Sequence, residues 1–196
     1  MNIERPTVEL ISRYIKEWDT TNHYQTYDVA LRDLFHHHYP DNSDLNSVLI
    51  KLVALNDFYK TNVYEIYEVA QYYLTCNIDE RLRRNDYQLV NDLAKRGTLK
   101  KRYYSLATKY CSFHNPDHFP IYDSYVEKML VAFKKNGYLP SIQFNKEDLK
   151  DYTKFQQIMI NFKKLYDFGQ FSLRDLDKFV WAMGKDKFRK KAKMVK

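Results

Sequence analysis

Tyr103-Tyr104-Ser105-Leu106-Ala107-Thr108-Lys109-Tyr110-Cys111-Ser112-Phe113-His114-Asn115-Pro116-Asp117-His118-Phe119-Pro120-Ile121-Tyr122-Asp123-Ser124 is the stretch on which the reading of this chain turns. An aromatic, basic helix runs into a loop containing Pro116 and Pro120. Neither proline can stand inside a helix, because each lacks an N–H and its ring collides with the preceding turn. The loop delivers Asp123 to the start of the next helix, where a carboxylate caps free amides and complements the helix dipole. The same position presents a carboxylate at the mouth of a crevice between two helices.

Helix-period patterns continue on both sides. Thr7 is expected to cap a helix bearing Val8, Ile11, Tyr14, Ile15 and Trp18, and Thr26 a second with Tyr27, Ala30, Leu31 and Leu34. Ser43 or Asp44 starts a third, through Phe58. Lys60-Thr61-Asn62 breaks the pattern before a fourth beginning near Val63. Asp79 to Lys95 reads as one or two helices. Thr98 is expected to cap a helix running to Phe113, after a stop at Gly97. Asn136-Gly137 ends the helix that Ile121 or Asp123 opens. Residues 141–144 read as irregular, and helices follow over 146–168 and 172–183, separated by Gly169. No alternating strand stands out, and only 4 Gly and 5 Pro occur in 196 residues, which leaves little material for hairpins. The expected class is all-α, with nine or ten helices.

Hydrophobic residues make up 44% of the chain and aromatic residues 16%, enough for a core. Cys76 and Cys111 supply no disulfide framework. No leader or membrane span is expected, so the default location is a reducing cytoplasm. The net charge of +7 is uneven: residues 185–196 carry a net +6, and a second basic cluster runs from Lys95 to Lys109. Cations set on phosphates release counterions, so such clusters suit nucleic acid.

On these residues the chain resembles the helix-hairpin-helix DNA glycosylase superfamily, in its 8-oxoguanine-type branch. Pro120-Ile121-Tyr122-Asp123 stands where that family carries a Pro-apolar-x-Asp-like run with a catalytic Asp. Leu55 to Tyr64 is similar to the family's helix–loop–helix that enters DNA. The resemblance covers roughly residues 43–133. The family's Gly-apolar-Gly hairpin is degenerate here: Arg96-Gly97-Thr98-Leu99-Lys100 offers Gly97 alone. The resemblance implies a compact multi-helix glycosylase-like fold, residues 1–184 forming one domain of two lobes around a crevice and 185–196 a basic tail. It implies a monomer on double-stranded DNA, associated with the nucleoid.

The function implied is flipping a damaged or modified base out of the duplex and hydrolysing its N-glycosidic bond. The transition state carries positive charge on the sugar, which a fixed carboxylate stabilises while it orients water. Asp123 takes that role. Phosphates fall to Gly97, Thr98, Lys100, Arg102 and Lys109, and the duplex wedge to Lys60, Thr61 and Asn62. His114, Phe119, Tyr122, Phe179 and Trp181 are the aromatic candidates for the base pocket. Strand-cleaving members carry a lysine just after the hairpin. Lys101 lies close to that place and Lys109 two turns on, but neither spacing matches, so a monofunctional enzyme is expected. No metal or organic cofactor is implied: His36-His37-His38 cannot converge on one ion, and Cys111, His114 and His118 make only three ligands.

Two other readings fit the same chain. One is a non-catalytic DNA-binding module of this fold. The other is a HEPN-like ribonuclease, because Arg32 and His37 have its Arg-x4-His spacing. The role divides between base-excision repair and defence against phage DNA with modified bases.

Overall fold

The computed structural model describes residues 3–95 and 102–189. Ten α-helices lie among them: α1 (Val8–Thr20), α2 (Asn22–Asp33), α3 (Leu45–Tyr59), α4 (Ile66–Leu74), α5 (Ile78–Arg83), α6 (Gln88–Lys95), α7 (Tyr104–His114), α8 (Ser124–Lys135), α9 (Tyr152–Leu165) and α10 (Leu173–Phe188). A wide helical turn, Leu34–His38, prolongs α2, and a 3-10 turn, Glu147–Lys150, precedes α9. No strand occurs among the described residues. The class is all-α.

Buried residues from Ile3 to Met183 form one continuous core. Helix α7 runs through it, with every residue from Leu106 to Phe113 buried. It packs on α6 and α3, while α10 packs on α8 and α1. The α6 and α7 ends meet where the Tyr103 amide donates to Ala94 O at 3.1 Å, which closes the connection between them. Gly97, Thr98, Lys100 and Lys101 lie in that connection, outside the described residues.

The helix caps follow side-chain chemistry. Thr7 accepts from the Leu10 amide at 3.1 Å, Asp44 from Ser47 at 3.0 Å, and Ser172 and Asp175 form a reciprocal capping box. Several boundaries differ from those expected. Thr26 lies inside α2, which begins directly after Thr21. Helix α4 starts at Ile66, so Asn62 caps nothing. Residues 102 and 103 are not helical, so the helix expected to reach Phe113 is interrupted there, and its expected cap, Thr98, lies outside the described residues. Asp151 breaks 146–168 in two by capping α9. Helix α10 continues to Phe188, so the basic tail as drawn from residue 185 begins inside a helix.

With so few glycines, the helix ends use other residues in left-handed conformations. Gly137 (φ 71°) ends α8 as expected: Tyr138 N donates to Phe133 O at 2.9 Å and Gly137 N to Lys134 O at 3.0 Å. The same paired closure ends α9, but Asp167 (φ 52°), not Gly169, occupies the left-handed position. Asn85 (φ 52°) does so after α5 and Lys60 (φ 49°) after α3. Asn and Asp tolerate this region because their short side chains bond locally, whereas a lysine there costs about 1–2 kcal/mol.

One cation is enclosed in the core. Lys51 is fully buried, and its Nζ donates to Asp41 O at 2.6 Å, Asn42 Oδ1 at 2.8 Å and Tyr39 O at 3.1 Å. Its ammonium also lies 3.3 Å from His114 Nε2. His114 therefore packs between Phe35, Tyr110 and Lys51, away from any base pocket. Burial, reinforced by Lys51, holds the imidazole well below its ordinary pKa and so neutral. Burial also lowers Lys51 to about 8. Between pH 8 and 10.5 the unfolded chain binds a proton here that the folded chain has released, so stability rises with pH across that window. Urea denaturation from pH 8 to 10.5 should show the native chain gaining stability relative to Lys51→Met, since the buried tyrosines and cysteines, whose raised pKa values act in the opposite sense, are common to both chains. The Lys51→Met chain should also be less stable at pH 7, by about 1–3 kcal/mol per orphaned buried acceptor.

Candidate active site

The extended segment before Asp123 is fastened on both sides. Thr108, in the middle of α7, receives the Tyr122 amide on Oγ1 at 3.2 Å and places the same oxygen 3.2 Å from Tyr122 O. Tyr152 OH donates to Pro120 O at 2.8 Å. Asp123 then caps α8: its Oδ1 accepts from the amides of Tyr125 at 2.8 Å and Val126 at 2.9 Å. Both bonds go to one oxygen. Oδ2 makes no hydrogen bond among the described residues.

Asp123 lines a cavity of about 620 Å³. Helix α7 contributes Tyr104, Ser105 and Lys109, the α8 start contributes Tyr122 to Tyr125, and the α3 end contributes Phe58 to Thr61. Trp18, Tyr24 and Tyr27 close one side with Trp181 of α10. Ring faces dominate the lining, with hydroxyl tips and a few charges between them, a surface suited to a flat polar ligand.

Lys109 lies in the wall of this cavity and is only 3% exposed. Its Nζ donates to Ser105 Oγ at 2.6 Å and Ser105 O at 3.3 Å and sits 5.0 Å from the Tyr59 ring centre. It cannot grip a phosphate from the protein surface, which corrects its expected role. Burial lowers its pKa, while Asp123 and Asp177 pull the other way and Arg174 adds to the lowering. Beneath it, Arg174 donates to Asp177 at 2.9 Å and to Asp28 at 2.7 Å. Burial pushes the Asp177 carboxyl up to about 7, against the pull of Arg174 and Lys109. A small void of about 20 Å³ joins Lys109, Asp123, Arg174 and Asp177 to the indoles of Trp18 and Trp181.

Seven of the residues singled out in the sequence meet at this cavity: Lys60, Thr61, Arg102, Lys109, Tyr122, Asp123 and Trp181. Lys60 is at the rim, paired with Asp57 at 2.7 Å. Thr61 turns its hydroxyl to Asn56 Oδ1 at 2.6 Å. Arg102 is exposed, 4.6 Å above the Tyr104 ring and 3.1 Å from Asn91 Oδ1. Tyr122 donates to Glu127 Oε2 at 2.5 Å.

Four do not meet there. Asn62 (φ 55°) is exposed on the outside of the turn, and His114 faces Lys51. Phe119 is fully buried, stacked on Tyr152 at 6.0 Å. Phe179 is fully buried between Tyr14 and Phe133. An aromatic residue bears the same side chain in a core and in a pocket, so type alone could not separate them. Sequence reasoning missed Tyr59, Ser105, Arg174 and Asp177. The available signals were the i,i+4 spacing of Ser105 and Lys109 and the i,i+3 spacing of Arg174 and Asp177.

No group of three or more metal-ligating side chains occurs among the described residues. No helix among them is long and apolar enough to cross a membrane. Arg32 and His37 are both exposed, and Arg32 is engaged by Asp28 at 3.3 Å.

The family HI_0787_N, N-terminal domain, matches residues 10–118, from α1 to just beyond α7. A Haemophilus influenzae protein, titled only as uncharacterized, is 40% identical over 153 residues, covering 76% of this chain and 72% of that protein. No solved structure matches.

The cavity wall depends on a close helix crossing. Gly184 of α10 sits against the start of α8, where a Cβ would lie 2.6 Å from Tyr125 O. That oxygen is backbone and cannot swing away. On helix propensity alone Gly184→Ala would stabilise α10, by about 1 kcal/mol. The crossing reverses the sign: calorimetry should show a lower Tm, from overpacking of about 1–3 kcal/mol. A raised Tm would show that α8 and α10 are not in this contact.

Proposed function

This chain belongs to the HI_0787_N family, and we propose that it is a monofunctional DNA glycosylase. It takes a damaged or modified base flipped from duplex DNA into the Asp123 cavity and hydrolyses the N-glycosidic bond, leaving an abasic site. The observation that carries this reading is Asp123 itself: a carboxylate fixed by two amide bonds through Oδ1, with Oδ2 left for chemistry, on the wall of an aromatic cavity. The positive charge that builds on the sugar as the bond breaks would be stabilised by this carboxylate, which would also orient the attacking water. The rings of Tyr59, Tyr122 and Trp181 supply stacking surfaces, and Lys60 and Arg102 supply cations at the mouth.

The wedge role moves from Asn62 to Tyr64, an 85% exposed ring on the same turn that would fill the gap left by the base. The fold class carries none of this by itself. A non-catalytic DNA-binding module would keep the cations and the aromatics and make no use of Asp123 Oδ2. The ribonuclease reading has less support, since Arg32 is held by Asp28 and neither Arg32 nor His37 lines the Asp123 cavity.

Asn caps helices as well as Asp does, so Asp123→Asn keeps the α8 start and removes the charge. It should bind duplex DNA as the native chain does and release base at least about 100-fold more slowly. Equal base release by both chains would remove Asp123 from the mechanism. Mass spectrometry of bases freed from oxidised DNA and from phage DNA with modified cytosines separates repair from defence.

Lys109 favours a second reading, strand cleavage. Its lowered pKa and its place on the cavity wall with Asp123 are those of an amine that could attack the sugar. Borohydride would then trap an adduct on damaged DNA that disappears in Lys109→Ala and persists in Lys101→Ala. The monofunctional assignment expects no adduct in either chain.

A further inference from the structure

A second cavity, of about 520 Å³, lies behind the aromatic wall of the first. The two share Trp18, Tyr24 and Trp181. Trp18 and Tyr24 are stacked at 5.1 Å, and Trp181 meets them edge-on at 5.0 and 5.4 Å, so three rings brace one another with the two cavities on either side.

The second cavity carries cations that the fold does not neutralise. Lys185 Nζ sits 4.3 Å from the Tyr24 ring centre and 4.8 Å from that of Trp181. Neither Lys185 nor Arg189 has a carboxylate partner among the described residues. The acids nearby are largely engaged: Glu4 with Arg13 at 3.5 Å and Lys187 at 3.8 Å, and Asp186 with Lys187 at 3.2 Å and the Tyr14 hydroxyl at 3.2 Å. Glu17 remains at the exposed edge. Lys185 and Arg189 stand one helical turn apart as like charges, an arrangement that weakens a helix unless an anion bridges it. Burial lowers the Lys185 pKa, and Arg189 lowers it further.

We propose that this cavity is a second nucleotide site, which binds a nucleoside phosphate with its base on the Trp18–Tyr24–Trp181 wall and its phosphate between Lys185 and Arg189. Stacking on aromatic rings accepts any base, and paired cations hold the phosphate without reading sequence. On DNA this site would hold a nucleotide other than the one at Asp123. The binding of a free nucleotide does not require Asp123 to be catalytic.

Trp18 and Trp181 are the only tryptophans in the chain, so fluorescence excited beyond the tyrosine band reports on the wall that the two cavities share. The full chain should be titrated with deoxyadenosine 5′-monophosphate, with deoxyadenosine and with inorganic phosphate. The nucleotide should quench saturably, and each half-molecule should bind at least about tenfold more weakly. Lys185→Gln/Arg189→Gln should weaken the nucleotide at least about tenfold, whereas Lys135→Gln, a cation of neither cavity, leaves it unchanged. The proposal is overturned by absent quenching, by inorganic phosphate binding as tightly as the nucleotide, or by sensitivity to Arg102→Gln with none to the double variant. None of these outcomes bears on base release, which the Asp123→Asn assay decides separately.

Discussion

Asp123 can face a cavity only because the chain before it is held extended. The hydroxyl of Thr108 fastens Tyr122 to the middle of α7, and the Tyr152 hydroxyl holds Pro120. Thr108 and Tyr152 are themselves fully buried, so neither clamp competes with water. The two prolines keep this segment from joining the helix on either side. Helix α8 then starts at one defined residue. Its first amides take one carboxylate oxygen and leave the other without a hydrogen bond among the described residues, in a side chain that lines the cavity. A cap usually completes a helix; this one also sets the direction of a charge.

The surroundings of that charge are a problem in burial. Lys109, Arg174, Asp177 and Asp28 are ionisable groups drawn well into the protein, a placement that is costly unless each is paired. Arg174 bridges Asp177 and Asp28, and Ser105 holds the Lys109 amine. For Asp28, burial alone would raise the carboxyl, and Arg174, Lys178 and Arg32 outweigh it to give a net lowering. Asp177 has less cationic help and goes the other way. The result is a graded set of charges around the cavity, with the least committed oxygen on Asp123.

The class and most helices were legible because amphipathic spacing survives any detail of packing, and because Pro116, Pro120 and Asp123 carry strong local rules. Asp123, Lys109, Arg102 and Lys60 could be found as chemistry-bearing residues beside those landmarks. Helix ends were less legible where Asn85 or Asp167 did the work usually given to glycine, whereas the break at Lys60 was legible. Gly184 was the converse: the expected helix stopped at residue 183, and this glycine lies inside α10 at a point of close helix contact. His114, Phe119 and Phe179 were drawn into the pocket by residue type. Their positions are set by Lys51, Tyr152 and Phe133, contacts distant in sequence that no local pattern records. The Arg174–Asp28 bond was invisible for the same reason, since the two residues lie far apart along the chain and bond at 2.7 Å.

The central claim is that Asp123 faces the sugar of a nucleotide drawn into the aromatic cavity. The most direct measurement is a crystal structure of the Asp123→Asn chain bound to duplex DNA that carries a modified base. One nucleotide should be extruded among Tyr59, Tyr122 and Trp181, its sugar within hydrogen-bond reach of residue 123 and the α3–α4 turn against the duplex. An intact, stacked duplex lying on another face, with the cavity untouched, would contradict it.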